Sequence, residues 1–232
     1  MMIDKEMKMD KDEICHPSHP QHKLKLHNTQ VPFICDGCKE AGIGLKYECE
    51  QCDFELHKTC AVAPPVTTHP FKDCEFKLYE RPPGTGGARV CDACRNEVEG
   101  FVYHCKRCGF DLHPCCANLP QVLLVLDNDG EHNNNLYLCS KLSRTCDSCG
   151  GKKGRGGWSY RTECKNYNYH VSCVKKMFME SWEANKSSTH EDNIGENKKQ
   201  VMMDLQLRIP KVLKAPAACI VGIIRGGKLG RF

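Results

Sequence analysis

The stretch Tyr47–Cys60, YECEQCDFELHKTC, decides how this chain is read. It packs Cys49, Cys52, His57 and Cys60 into little more than a dozen residues, and it recurs as YHCKRCGFDLHPCC at 103–116. Working outward, Cys35, Cys38, Cys49, Cys52, His57 and Cys60 each return 56 positions later as Cys91, Cys94, Cys105, Cys108, His113 and Cys116. A third, altered copy reads YRTECKNYNYHVSC at 160–173. It keeps Cys146, Cys149, His170 and Cys173 at offsets of 55 and then 57, so a small insertion or deletion separates it from the second. A fixed period of this length marks one structural unit written several times.

The chain has 19 cysteines and 11 histidines in 232 residues, far above globular usage. Cysteine at this frequency means either disulfides or metal, and the redox compartment decides between them. The opening MMIDKEMKMDKDEICH is charged throughout and has no apolar stretch of signal-peptide length, so the expected setting is intracellular, cytoplasmic or nuclear, with reduced thiols. An odd cysteine count fits a disulfide framework poorly, and a His-x2-Cys pair has no use in one. Mixed imidazole and thiolate ligands are what tetrahedral zinc takes. The apolar run from Ala215 to Ile224 is ten residues, short of the roughly 18 of a membrane span, so no transmembrane segment is expected.

Net charge is +4, but residues 1–186 balance 25 basic against 25 acidic side chains, and the excess lies in 187–232, eight against four. The cysteine-rich body therefore lacks the positive field of a nonspecific nucleic-acid binder, and that partner class is disfavoured.

Before each histidine stands an alternating pair, Phe54 and Leu56, Phe110 and Leu112, or Tyr167 and Tyr169, which predicts a short strand with one buried face. The His-x2-Cys that follows predicts a short helical turn presenting both ligands to one ion. The third residue of each Cys-x2-Cys is small, Gly37, Ala93 or Ser148, as expected if the backbone closes tightly around a metal. Each full module supplies more than the four groups one tetrahedral zinc needs, so two ions per module is the natural count. A unit of some 50 residues with so little apolar core cannot offset about 1.5 kcal/mol of ordering entropy per residue. Structural zinc contributes roughly 10–16 kcal/mol in small peptides, which changes the outcome.

The ligand order resembles the divergent C1 domains of plant cysteine/histidine-rich proteins, relatives of the phorbol-ester and diacylglycerol-binding modules. The resemblance covers about residues 16–180: His22, then Cys35-x2-Cys38, a shortened loop, Cys49-x2-Cys52, x4-His57 and x2-Cys60. It implies two zinc ions per module in a crossed arrangement. One takes Cys35, Cys38, His57 and Cys60. The other takes His22, with His19 and His16 as alternatives, plus Cys49, Cys52 and a trailing ligand for which His69 is the candidate. In the second module the resemblance implies Cys91, Cys94, His113 and Cys116 at one site. At the other it implies Cys105 and Cys108 with Cys74, and His132 or Cys139 trailing. The third module retains Cys146, Cys149, His170 and Cys173, but Thr162 and Lys165 replace its other cysteine pair, leaving Cys164 as a displaced candidate. About five structural zinc ions follow.

The expected fold is thus small α+β zinc-stabilised modules, three in tandem and cross-braced, each with short strands and one short helix. The expected limits are 1–14 flexible, 15–68, 69–125 and 126–184 as modules, and 185–232 as linker and basic, mostly disordered tail. VKKMFMESWEA at 174–184 is expected to cap the last module. The resemblance implies a non-enzymatic intracellular signalling role through protein partners, in stress or hormone responses. The loop GIGLKYEC lacks the length and the glutamine of diacylglycerol-binding members, so that ligand is disfavoured. Two alternatives stand beside this reading: recognition of a lipid or membrane surface, and a thiol-disulfide oxidoreductase built on Cys-x2-Cys.

Overall fold

The alternation of apolar and polar residues around each cysteine pair produces strands, most of them two to five residues long, that combine into three small antiparallel sheets. The computed structural model describes residues 12–84, 87–123, 135–151 and 156–187. In the first module β1 (Glu13–His16), β2 (His19–Ile34), β3 (Ala41–Glu48) and β4 (Glu55–His57) pair in the order β1-β2-β3-β4, followed by α1 (Lys58–Ala61). In the second, β5 (Val66–Thr68), β6 (Glu75–Tyr79), β7 (Val102–His104) and β8 (Asp111–Leu112) repeat that order, followed by α2 (Pro114–Ala117). In the third, β9 (Val122–Leu123), β10 (Leu136–Cys139), β11 (Ser159–Thr162) and β12 (Asn168–His170) form the last sheet and lead into α3 (Val171–Ser187).

Two details differ from the sequence expectation. Strand β5 hydrogen-bonds to β6, with Val66 opposite Lys77, and β9 pairs with β10. The second and third modules therefore begin a few residues before 69 and 126, because each sheet recruits the chain that leaves the previous helix. The final helix takes in the whole of the 174–184 segment expected to cap the last module, but it starts earlier, at Val171 directly after the strand, and runs on to Ser187. Val171, Val174 and Phe178 keep the helical spacing of an apolar stripe, and all three are buried.

Tyr47, Leu24 and Leu56 fill the centre of the first module, with Tyr103, Phe76 and Leu112 in the second and Tyr160 and Tyr169 in the third. The cores are not separate: Phe101, from the second module, is buried in the core of the first. The second and third modules share one continuous cluster that includes Trp158 and Phe178. Among the described residues no helix is long and apolar enough to cross a membrane. The N-terminal residues 1–11, the Gly-rich segment at 152–155, His132 and the tail from 188 lie outside the described residues.

Candidate metal centres

The leading Cys-x2-Cys of each module is a tight turn closed by a hydrogen bond from the residue after the second cysteine back to the first: Lys39 to Cys35, Arg95 to Cys91 and Gly150 to Cys146, at 2.8, 2.8 and 2.9 Å. That donor residue is in the left-handed region, with φ of 62° at Lys39, 67° at Arg95 and 65° at Gly150. The smallness of Gly37 has a different origin from metal closure. A Cβ at Gly37 would lie 2.6 Å from the Phe101 ring, so the site is small because the next module packs on it.

Histidine closes a strand, as His57 and His170 do, or directly follows one, as His113 does, and cysteine sits in the helix, so the His-x2-Cys pair spans a strand–helix junction rather than one helical turn. His57 is still extended (φ −49°, ψ 142°) as is His113 (φ −59°, ψ 148°), and Pro114 starts α2 at the position where its missing N–H costs nothing. The histidine therefore arrives along the sheet and the cysteine arrives from the helix.

These elements bring together four complete ligand sets and one set of three, with ligand atoms within 4.8 Å of one another in each. They are Cys35, Cys38, His57 and Cys60; Cys91, Cys94, His113 and Cys116; Cys146, Cys149, His170 and Cys173; His19, His22, Cys49 and Cys52; and Cys74, Cys105 and Cys108. Tetrahedral zinc with Zn–S near 2.3 Å and Zn–N near 2.0 Å separates neighbouring ligand atoms by roughly 3.5–3.8 Å. The observed edges fit. Cys38, Cys94 and Cys149 Sγ stand 3.3, 3.5 and 3.5 Å from Nδ1 of His57, His113 and His170. Cys49 Sγ lies 3.6 Å from His22 Nδ1, and Cys74 Sγ lies 3.7 Å from Cys108 Sγ. None of the described cysteines is in a disulfide. In the first two modules the sets interleave along the chain, which is the crossed arrangement. The five clusters fit about five structural zinc ions.

The ligand groups also act on one another electrically. Burial disfavours a charged His113, but Cys91 and Cys94 beside it outweigh burial and raise its pKa to about 11. Burial pushes the Cys173 thiol up to about 12 and the Cys74 thiol up to about 11. Burial also works against the Cys91 thiolate, yet hydrogen bonds from Cys116, Cys94 and His113 hold it well below the usual thiol range. Groups that polarise each other in this way gain most from a shared divalent cation, which replaces their protons.

The structure corrects the candidate ligands at the edges of the sites. His69 does not complete the Cys49/Cys52 site; His19 does, from the start of β2. Gln21 meets His19 Nδ1 at 3.0 Å, which leaves Nε2 buried with no protein partner and free to face an ion. His69 stands in the second module, where the Phe71 N–H donates to its Nδ1 at 2.9 Å and its buried Nε2 likewise has no partner. His19 stacks on Phe54 at 4.5 Å and His69 faces Phe110 at 5.9 Å, so the two histidines are positional equivalents. The shared His-Pro at 19–20 and 69–70 is the signal that could have revealed this. Cys139 lies in β10 opposite Ser159 and donates to the Tyr137 carbonyl, away from Cys105 and Cys108. Cys164 is exposed and donates to Thr162 Oγ1 at 3.4 Å, outside every cluster. Thr162 Oγ1 also accepts from the Tyr167 N–H, so a hydrogen-bonded turn holds the place of the missing cysteine pair.

A further set of residues escaped the sequence reading. Asp36, Asp92 and Asp147 follow the first cysteine of each set. Each accepts a backbone N–H from the strand carrying the histidine: Glu55 at 2.9 Å, Asp111 at 2.8 Å and Asn168 at 2.6 Å. Each also donates its own N–H to that strand residue's carbonyl. The signal was present as CDGC, CDAC and CDSC. These carboxylates clamp the cysteine turn to the histidine strand and thereby fix the relative position of ligands distant in sequence.

Residues 17–61 and 69–117 match the family model described as the C1 domain. The chain is 42% identical over 50 residues to "Probable nucleoredoxin 1" of Arabidopsis thaliana, which covers 22% of this chain and 8% of that protein. It is 40% identical over 40 residues to "Probable nucleoredoxin 3" of the same plant, covering 17% and 10%. The chain thus spans about a tenth or less of these relatives' length. No solved structure matches.

Proposed function

We propose, from the premise that residues 17–61 and 69–117 are C1-type zinc modules, that this chain is a non-enzymatic interaction protein acting in intracellular signalling. The observation that carries this is the state of the ligand sets. Cys35, Cys38, His57 and Cys60, and likewise Cys91, Cys94, His113 and Cys116, supply four Cys/His ligands each and are buried. A closed tetrahedral site has no vacant position for substrate or activated water and serves to hold the fold. What such a body offers its surroundings is surface, presented by three packed sheets. The partners are expected to be proteins.

Metal analysis of the purified chain together with capture of partners from extract, before and after chelation, tests the proposal. About five zinc ions and zinc-dependent capture of specific proteins are expected. Fewer than three ions, or capture unaffected by chelation, would overturn it. Insulin-reduction activity abolished by changing one Cys-x2-Cys pair would instead support a thiol-disulfide enzyme.

A further inference from the structure

The solvent face of the second sheet carries an open groove of about 560 Å³ beside Cys74 and Cys105. Its rim holds Lys72, Lys77, Lys106 and Arg107 against Asp73 and Glu75, all exposed. Among the described residues none of the four cations is in an ion pair. Lys72 sits instead over the Phe110 ring, its Nζ 3.7 Å from the centroid.

The first module provides an internal comparison, because register fixes the equivalent positions. Lys25 faces Glu48 across β2 and β3, as Lys77 faces His104 across β6 and β7. On the other side Lys25 is opposite Glu13, while Lys77 is opposite Val66. In the first module this face neutralises itself: Lys25 reaches Glu50 at 2.6 Å and Glu13 at 3.9 Å, Lys23 reaches Glu13 at 3.3 Å, and His27 reaches Glu48 at 3.5 Å. In the second module each of those three acids is replaced. Val66 stands for Glu13, His104 for Glu48 and Lys106 for Glu50, while Arg107 stands for Gln51. Glu75 takes the place of Lys23, so three acids are lost and one is gained, and the second face is left with an excess of cations that have no ion-pair partner among the described residues.

We propose that this second face binds a short acidic segment of a partner protein, with Lys77, Lys106 and Arg107 meeting its carboxylates or phosphates. The inference deepens the interaction reading above and rests on it. An Arg guanidinium can grip a carboxylate with two parallel hydrogen bonds, and a lysine beside it adds a mobile point charge. Half-buried Tyr79 and exposed Val66 border the cations, so apolar contact is available next to charge. The excess is local: residues 1–186 are formally neutral, which favours a short acidic stretch over an extended polyanion such as nucleic acid.

The test uses the zinc-loaded full chain and a fluorescein-labelled octaglutamate peptide read by anisotropy, with octalysine and phosphatidylserine vesicles in parallel. Saturable binding of octaglutamate is expected, weakened about tenfold or more by Lys106→Glu with Arg107→Glu and less than about twofold by Lys211→Glu with Lys214→Glu in the tail. Lys106→Glu gives Lys77 the acid that Glu50 gives Lys25, so this variant is expected to fold; zinc content and circular dichroism check that it does. Lys77→Gln, which reverses no charge, should weaken binding in the same direction. Equal weakening by the tail variant, no weakening by the groove variants, or preference for vesicles over peptide overturns the proposal. Partner capture from extract separates the two levels. Capture unchanged by the groove variants overturns the groove and leaves the interaction reading intact, whereas no zinc-dependent capture by the native chain removes that reading while octaglutamate binding still decides the groove.

Discussion

The backbone N–H of Phe101 donates to the carbonyl oxygen of Gly37 at 2.7 Å, so the second module docks directly on the metal-binding turn of the first. The same bond recurs one repeat later, from Trp158 to Ala93 at 2.8 Å. Around it the Tyr103 hydroxyl donates to the Pro64 carbonyl at 2.7 Å, and the Tyr160 hydroxyl to the Pro120 carbonyl at 2.8 Å. The modules are therefore stacked by one repeated rule, and each interface is built on a turn that carries two ligand cysteines. Stability in such an array is a sum of unit and nearest-neighbour terms, so removing the metal of one unit is expected to loosen the next.

The first prediction tests that junction. A Cβ at Gly100 would lie 2.0 Å from the Gly37 carbonyl oxygen, and neither side of this backbone contact can swing away. Gly100→Ala should destabilise the chain by about 2–3 kcal/mol in denaturant unfolding, at the upper end of overpacking effects. Gly87→Ala, where nothing lies within 4 Å, should leave the transition unmoved. Equal behaviour of the two variants would refute the interface.

The second concerns the aspartate clamp. Asp92→Ala leaves the Asp111 N–H without its acceptor. The expected loss is about 1–3 kcal/mol of stability and roughly 10–100-fold in zinc affinity, because Cys91 and His113 then lose their shared brace. Competition with a chromophoric chelator measures the affinity. Asp92→Asn keeps an acceptor oxygen and should fall between alanine and the native chain.

The third separates the rival upstream histidines. His19→Ala should lower the zinc content by one ion while the Cys35, Cys38, His57 and Cys60 set stays filled. His16 stacks near the Phe101 ring, its Nδ1 accepts from the Ser18 N–H, and it touches no ligand set, so His16→Ala should leave the content unchanged. Elemental analysis of the dialysed variants reads the difference directly.

Why His19 could be read only as a rival of His22 and not as its companion, while Cys35 could be placed outright, is a matter of where the ligands come from. Ligands held by short turns and by a strand–helix junction keep fixed spacing, so Cys35, Cys38, His57 and Cys60 are visible as text. A ligand delivered by a strand entering from upstream has no such ruler, since insertions before it shift its number without shifting its place. His19 and His69 stand 50 positions apart, not the 56 that relates the other ligands, so the period does not pair them, and the resemblance assigns His69 as a trailing ligand of the first module instead. The helix α3 was legible in 174–184, but its packing was not. The apolar stripe through Val171 and Phe178 could be read from sequence, but what it covers depends on contacts between modules that no local pattern records.

The last prediction concerns that helix. Glu40 links all three modules: its carboxylate accepts from Asn96 at 3.1 Å, lies 3.7 Å from His113 Nε2, and pairs with Lys175 of α3. Its side chain is 11% exposed and that of Lys175 23%, so the pair is shielded but not sealed. Removing one member leaves the other charge poorly solvated, which for buried pairs costs about 3–5 kcal/mol; the partial exposure of Lys175 places this case near the lower end. Lys175→Met alone should therefore destabilise the fold and release α3, seen as faster amide exchange along 171–180. Glu40→Gln with Lys175→Met should recover part of the loss, since no orphaned charge remains. A double variant less stable than both singles would show that the pair contributes directly to stability and that the cost of the single changes is not one of stranded charge.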